Sequence, residues 1–145
     1  MRSPLSLLAP VLLLLASCAS TESPAPSRAP RTGSWRMELD VRSGGDARPV
    51  ILPFLFDLRQ DSGTWTMLVH NGDETIVVDD VRISADTFHV RMPLFDSEFT
   101  GAPASDSTIS GYWHNHLKGP DYRIPFIARA GHTHRFAEAA DGRHD

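Results

Sequence analysis

The feature of this sequence that most constrains its fold is an alternation of apolar and polar side chains with a period of two residues. It begins at Trp35-Arg36-Met37-Glu38 and recurs along the chain as far as Ala128. Successive side chains of a strand point to opposite faces of the sheet. The pattern is therefore typical of antiparallel strands with one buried and one solvent-exposed face. No stretch shows the period of an amphipathic helix. We therefore predict an all-β domain.

Turn residues separate the alternating runs about every ten residues, the spacing that is typical of a barrel or a sandwich. Asn71-Gly72 is the strongest hairpin signal, because both residues tolerate the positive φ of a type I′ turn. Other turns or loops are predicted at 60–63, 84–86, 101–107 and 115–121. An antiparallel meander that closes into a small barrel is favoured over a sandwich, because closure removes exposed strand edges.

The inward positions of the predicted strands carry seven aromatic side chains: Trp35, Phe54, Phe56, Trp65, Phe88, Trp113 and Phe126. Leu52 and Leu58 lie on the same predicted face as Phe54 and Phe56, in the alternating segment 52–58. A shift of register by one residue would turn each set to solvent, so the register is strongly specified. These rings either fill the core or line a cavity, since small closed meanders can hold one apolar ligand.

The N-terminus predicts export and lipidation. Leu5 to Ala16 is an apolar run of 12 residues, too short for a spanning helix of about 20 residues. It fits the apolar region of a secretory signal. The run ends in Leu15-Ala16-Ser17-Cys18, which resembles the bacterial lipobox. That resemblance implies cleavage after Ser17 and acylation of Cys18, which anchors the chain in a membrane.

The domain organisation follows from composition. We predict a lipoprotein signal peptide over residues 1–17, a disordered tether over 18–32, a β-domain over 33–136 and a disordered tail over 137–145. The tether is rich in Pro, Ser and Ala and has no large apolar residue with which to order itself. By resemblance to lipoproteins of Gram-negative cells, Ala19 after the cysteine implies the outer membrane, with the domain in the periplasm.

Charge and cysteine content exclude several functions. The formal net charge is −4, and the basic residues, 13 arginines and Lys118, are spread along the chain. This argues against a nucleic-acid-binding surface. The chain has one cysteine, Cys18. It therefore contains no intramolecular disulfide, no CxxC redox pair and no multi-thiolate zinc site.

Several segments, taken in order, resemble one family. They are Leu52-Pro53-Phe54, residues 71–76, residues 86–97, Ser110-Gly111-Tyr112-Trp113, residues 122–126 and Arg135-Phe136. Their order and spacing are similar to those of the β-rich domain that precedes the thioredoxin fold in TlpA-like, redoxin-domain lipoproteins of bacteria. The resemblance spans about 100 residues. It implies the fold and the envelope setting.

The resemblance does not imply thiol-disulfide activity for this chain. In that family the catalytic CxxC lies in a later domain, which would begin just beyond Phe136. We therefore expect either a stand-alone relative or a shortened family member. A thioredoxin-like envelope protein is the kind of partner that the resemblance implies.

Two histidine pairs and a few carboxylates are the candidate site residues. His114 and His116 form one HxH pair, and His132 and His134 form another. Residues i and i+2 of a strand point the same way, so each pair has the spacing to share a metal ion. The alternative is that both pairs lie at loop edges in water. We predict no metal and no other cofactor; His114 and His116 are the candidates if a metal binds.

The carboxylates suggest no catalytic site. Asp96 and Glu98 have the spacing of one strand face, and Asp79-Asp80 are adjacent. Turn chemistry explains Asp79-Asp80, and solvation or an arginine partner explains the other pair. No G-x-S-x-G elbow is present in the sequence.

We therefore expect no catalytic residues and no enzyme, but a non-catalytic accessory or binding domain of an envelope lipoprotein. The alternative is a lipocalin-like carrier or sensor of a small apolar ligand.

Overall fold

The structure is a computed structural model that describes residues 29–42 and 50–134. The predicted signal peptide, Cys18, most of the tether, Arg135-Phe136 and the predicted tail lie outside the described residues. The strands are β1 (Gly33–Asp40), β2 (Ile51–Asp61), β3 (Thr64–Asn71), β4 (Glu74–Val78), β5 (Val81–Ile83), β6 (Phe88–Arg91), β7 (Ser97–Ser105), β8 (Thr108–Asn115) and β9 (Arg123–Ala130). The all-β prediction is confirmed.

The nine strands form one antiparallel sheet that closes almost completely into a barrel. Their order is β4-β3-β2-β1-β9-β8-β7-β6-β5. The first and last strands pair directly, with Trp35 opposite Ala130 and Leu39 opposite Phe126. Each step across the sheet reverses direction, so the end strands β4 and β5 run the same way. Asp79-Asp80 connects β4 to β5, so the two form the halves of one kinked strand. The first half pairs with β3 and the second half pairs with β6.

The aromatic side chains that alternation placed inward lie in the interior of the barrel. Trp35, Phe56 and Phe88 are fully buried, and Trp65 and Phe126 are at most 6% exposed. Phe54 and Trp113 are partly buried and pack against this core. The inward prediction is therefore confirmed. The rings also contact one another; Phe99, for example, lies 5.9 Å from Phe54 and 5.6 Å from Phe126 between ring centroids.

On one side of the core, four residues lie opposite one another across the neighbouring strands β6, β7, β8 and β9. Phe88 lies opposite Gly101, Gly101 opposite Gly111, and Gly111 opposite Phe126. A Cβ on Gly111 would meet the carbonyl oxygen of Thr100 and lie 2.6 Å from the Cα of Gly101. The two rings that flank the glycines have centroids 6.0 Å apart. The glycines thus allow a close backbone approach, and the phenylalanines occupy the space inside it.

Two details of the sequence-based prediction are wrong. The segment 101–107 is not a loop, because residues 101–105 continue β7 and pair with β8. Its small residues suggested a turn, but Gly101 is required by the close approach of β7 to β8, and the register of the pairing shifts between Pro103 and Ser105. Leu52 is not part of the buried core: it lies opposite the buried Leu39 but is 47% exposed, because it lies near the end of the barrel.

The two ends of the barrel differ in character. One end, here called the rim, contains residues 40–42, 50–52, 93–96 and 115–123. Large exposed apolar side chains gather there: Val50, Ile51, Leu52, Leu94, Phe95 and Leu117, each at least 43% exposed. The opposite end receives the chain before β1. There Pro30 is buried, Arg31 donates its backbone N–H to Asp106 at 2.9 Å, and Trp35 Nε1 donates to the Arg31 carbonyl at 3.0 Å.

Helical structure in the described part of the chain is limited to one 3₁₀ turn, η1 (His116–Lys118), at the rim. The side chain of Asn115 caps this turn by accepting a hydrogen bond from the backbone N–H of Leu117 at 3.1 Å. Across residues 29–42 and 50–134, no helix has the length and apolar character needed to cross a membrane.

Replacing Gly111 by alanine is expected to destabilise the domain by about 3 kcal/mol, because the added methyl group collides with backbone atoms that cannot rotate away. Urea unfolding followed by tryptophan fluorescence measures the change. Ser110→Ala, at an exposed position of the same strand, is the control and should change the free energy of unfolding by less than about 0.5 kcal/mol. Equal effects of the two substitutions would contradict the close approach of β7 and β8.

Candidate functional site

The outer wall of the barrel near the rim carries a cluster of polar side chains on β6, β7 and β8. Strand pairing creates it, because Thr100 lies opposite His89 on one side and Tyr112 on the other, while Glu98 lies opposite His114. Glu98 and Thr100 are two residues apart on β7 and share the outward face. We call His89, Glu98, Thr100, His114 and His116 the histidine cluster.

Glu98 lies at the centre of the histidine cluster and binds two imidazoles. His89 Nε2 lies 2.6 Å from Glu98 Oε2, and His116 Nε2 lies 3.2 Å from Glu98 Oε1. An ionised carboxylate only accepts hydrogen bonds, so both rings donate. The carboxylate therefore links β6 to η1 across β7.

This arrangement changes the acidity of Glu98. The hydrogen bond from His89 holds the pKa of the Glu98 carboxyl below its ordinary value, and the hydrogen bond from His116 and the charges of both imidazoles act in the same direction. Partial burial raises the pKa but does not outweigh them. Glu98 is therefore an ionised acceptor rather than a proton donor at neutral pH.

The two histidines of the HxH pair have different hydrogen-bond partners. The rings of His114 and His116 are stacked, with centroids 6.4 Å apart and planes at 10°. His114 Nε2 nevertheless contacts Thr100 Oγ1 at 2.9 Å, whereas His116 binds Glu98. Within residues 29–42 and 50–134, no group of three or more His, Cys, Asp or Glu side chains has the geometry to hold a metal ion.

The remaining predicted candidates are separate from one another. Asp96 and Glu98 do not share a strand face, because β7 begins at Ser97 and Asp96 lies before it with a φ of 40°. The carboxylate of Asp96 instead accepts a hydrogen bond from Arg91 at 3.3 Å. Asp79-Asp80 forms the kink between β4 and β5, as turn chemistry predicted.

His132 and His134 are exposed beyond the end of β9.

His89 was missed by sequence reasoning. Alternation over Phe88 to Met92 placed it on the outer face, but nothing in the sequence specified which residue of β7 it would face.

A second feature is a cleft of about 770 Å³ at the rim. The ends of β1 and β8, the start of β9 and η1 surround it. Its lining mixes charged, aromatic and aliphatic side chains: Asp40, Val41, Arg42, Trp113, Lys118, Tyr122, Arg123, Ile124 and Pro125. Sequence reasoning missed the cleft, because its lining combines residues 40–42 with residues between 113 and 125, which are far apart in sequence.

The cations of the cleft have different partners. Arg42 forms an ion pair with Asp40, with Nη2 2.7 Å from Oδ2. The ammonium of Lys118 lies 4.7 Å from the centroid of the Tyr122 ring, and the Arg123 guanidinium lies 4.9 Å from that of Tyr112. A ring face attracts a cation but does not neutralise it. The tyrosine rings therefore do not form ion pairs with Lys118 and Arg123, which both line the cleft.

Asp40 and Trp113 form part of the cleft wall. Oδ1 of Asp40 is buried and has no hydrogen-bond partner among the described residues. The Trp113 ring meets Tyr122 edge-on, with centroids 6.4 Å apart and planes at 80°. The cleft thus offers an aromatic surface beside charged groups, a combination typical of sites that orient an organic ligand.

Glu98→Gln is expected to lower the free energy of unfolding by about 1 kcal/mol near neutral pH, because a charged acceptor of two hydrogen bonds is lost. The folded-state pKa of Glu98 is lowered, so its contribution is complete above the ordinary pKa of a glutamate and disappears as the pH falls through the lowered value. Urea unfolding of both proteins over a pH series should show the difference shrink in acid.

Asp96→Asn removes a carboxylate from the exposed pair with Arg91 and serves as the control, with an expected change below about 0.5 kcal/mol. A Glu98→Gln deficit that is unchanged in acid would contradict the assigned role of the carboxylate.

Comparisons of the chain with models of protein families, with curated proteins and with solved structures give no match.

Proposed function

We propose that this chain is a bacterial envelope lipoprotein whose barrel is a non-catalytic binding domain that binds its partner through the rim. One observation carries the proposal: large apolar side chains of three separate segments are exposed together at one end of the barrel. Exposed apolar groups that gather in one place are typical of interaction surfaces, whereas single ones are ordinary. The rim also contains the cleft.

The position of the rim agrees with attachment through Cys18. The chain enters β1 at the end opposite the rim, where Pro30 and Arg31 contact the barrel. The entry of the chain into β1 and the rim therefore lie at opposite ends of the barrel. The lipobox at Leu15 to Cys18 supports the anchor, and Ala19 supports the outer membrane with the domain in the periplasm.

The packed interior favours a binding surface over the alternative of a lipocalin-like carrier. A carrier of this size needs a cavity inside the barrel. Phe54, Phe99, Phe126 and Phe88 instead form a continuous series of rings across the interior, with neighbouring centroids 5.6 to 6.0 Å apart. Apolar rings at these distances are in contact.

The absence of catalysis and the nature of the partner are also part of the proposal. Glu98 is held as an acceptor by two histidines, an arrangement that suits a structural link better than proton transfer. Cys18 is the one thiol of the chain, and acylation would remove it. The resemblance to the N-terminal domain of TlpA-like lipoproteins supports a thioredoxin-like envelope protein as the partner.

Replacing Cys18 by serine is expected to abolish membrane attachment and to leave the barrel folded, because Cys18 belongs to the lipobox and the segment between it and the barrel has no large apolar residue. Partitioning between detergent and aqueous phases measures the first effect, and circular dichroism measures the second. The unaltered protein should enter the detergent phase. Its complete recovery in the aqueous phase would refute lipidation.

Photo-crosslinking in cells is expected to capture a discrete partner from the rim. A benzophenone side chain replaces Phe95, which is 72% exposed at the rim, or Val77, which is 60% exposed on the wall of the barrel. The rim position should give one defined adduct that Ile51→Ser weakens, and the wall position should not. Equal adducts at the two positions, or none at the rim, would overturn the role of the rim.

A further inference from the structure

We propose that the cleft at the rim is a binding site for a carboxylate group carried on an apolar or aromatic body. The proposal deepens the function proposed above and rests on the rim as the binding end of the barrel. The ligand chemistry has two sources, a free organic acid or the C-terminal carboxylate of a partner protein.

The charges of the cleft select an anion. Among the described residues that line the cleft, three are cationic, Arg42, Lys118 and Arg123, and one is a carboxylate, Asp40. Asp40 pairs with Arg42. Lys118 and Arg123 form no ion pair among the described residues, and their neighbours are the tyrosine rings. Two cations beside a low-dielectric wall create a positive potential that attracts an anionic group.

The planar guanidinium of Arg123 points to a carboxylate as the anionic group of the ligand. A carboxylate carries one charge and has the planar shape that an arginine guanidinium such as that of Arg123 binds well.

The remaining lining accounts for the apolar body of the ligand. Val41, Ile124 and Pro125 supply aliphatic surface, and the perpendicular rings of Trp113 and Tyr122 supply an aromatic corner. A volume of about 770 Å³ is in the range of ligand sites, about 300–1,000 Å³, so it accommodates a ring or a short chain as well as the acid group.

The test compares three probes that share one apolar body: 4-phenylbutyrate, 4-phenylbutanamide and 4-phenylbutylamine. Each is titrated by calorimetry into the full chain carrying Cys18→Ser, which retains every described residue. The acid should bind at least tenfold more tightly than the neutral and cationic probes, and its affinity should fall as salt is added. Equal binding of the three probes, preference for the amine, or no saturable binding of the acid up to about 10 mM would overturn the proposal.

Variants locate the binding. Lys118→Gln and Arg123→Gln should each weaken phenylbutyrate binding about tenfold, since each removes one of the cations that line the cleft. Both positions are exposed, so neither substitution should disturb the fold. Arg59→Gln removes a cation from an exposed position of β2 away from the cleft and should leave the affinity within about twofold. An equal loss in all three variants would show a general charge effect and contradict the site.

Two peptides distinguish the sources of the carboxylate. A hexapeptide that ends in phenylalanine is compared with its amidated form and with phenylbutyrate. Tighter binding of the peptide acid than of phenylbutyrate assigns the site to a protein C-terminus, and the reverse order assigns it to a free acid.

If the acid probes fail to bind while the Phe95 adduct persists, the carboxylate site is wrong and the binding role of the rim stands. If the Phe95 adduct is absent while the acid binds, the binding role of the rim is wrong and the carboxylate site stands.

Discussion

The pairing of β1 with β9 is the contact on which the rest of this structure depends. The other neighbours in the sheet are joined by turns or short connections in sequence, but this pair brings together residues about 90 positions apart, such as Trp35 and Ala130. Without it the meander would be an open sheet with one apolar face. With it, Leu39 is placed beside Phe126, and the inward residues of all the strands share one core. The cleft at the rim also depends on this pairing, because β1 and β9 form two of its walls.

Alternation predicted most of the strands and their inward faces, because a period of two residues in the sequence is enough to identify a half-buried strand. It was wrong where another requirement dominated. Gly101 has no side chain because two backbones approach closely there, and a sequence pattern cannot distinguish this requirement from that of a turn. Leu52 obeyed the alternation but lies at an end of the barrel, and the period does not report where a barrel ends.

The histidine cluster and the cleft were less predictable than the strands, because both depend on which residues face each other across the sheet. His116 and Glu98 were each noticed separately, for spacing that proved irrelevant. Their contact requires the β7–β8 pairing to bring the start of η1 next to Glu98. Lys118 and Arg123 were noticed only as scattered bases. Their shared position at the cleft follows from the η1 turn, which returns the chain towards β9.

The row of Phe88, Gly101, Gly111 and Phe126 has a consequence for the order of folding. The two glycines are joined by the β7–β8 hairpin, whose turn contains only Asp106 and Ser107, so their approach is a local event. The two phenylalanines are 38 residues apart in sequence, and their rings lie side by side only over a hairpin that has already formed. We therefore expect the hairpin to be structured in the folding transition state and the ring contact to form later. The backbone of Gly101 and Gly111 would then form before the core and position the two phenylalanines, although neither glycine contributes a side chain to the core.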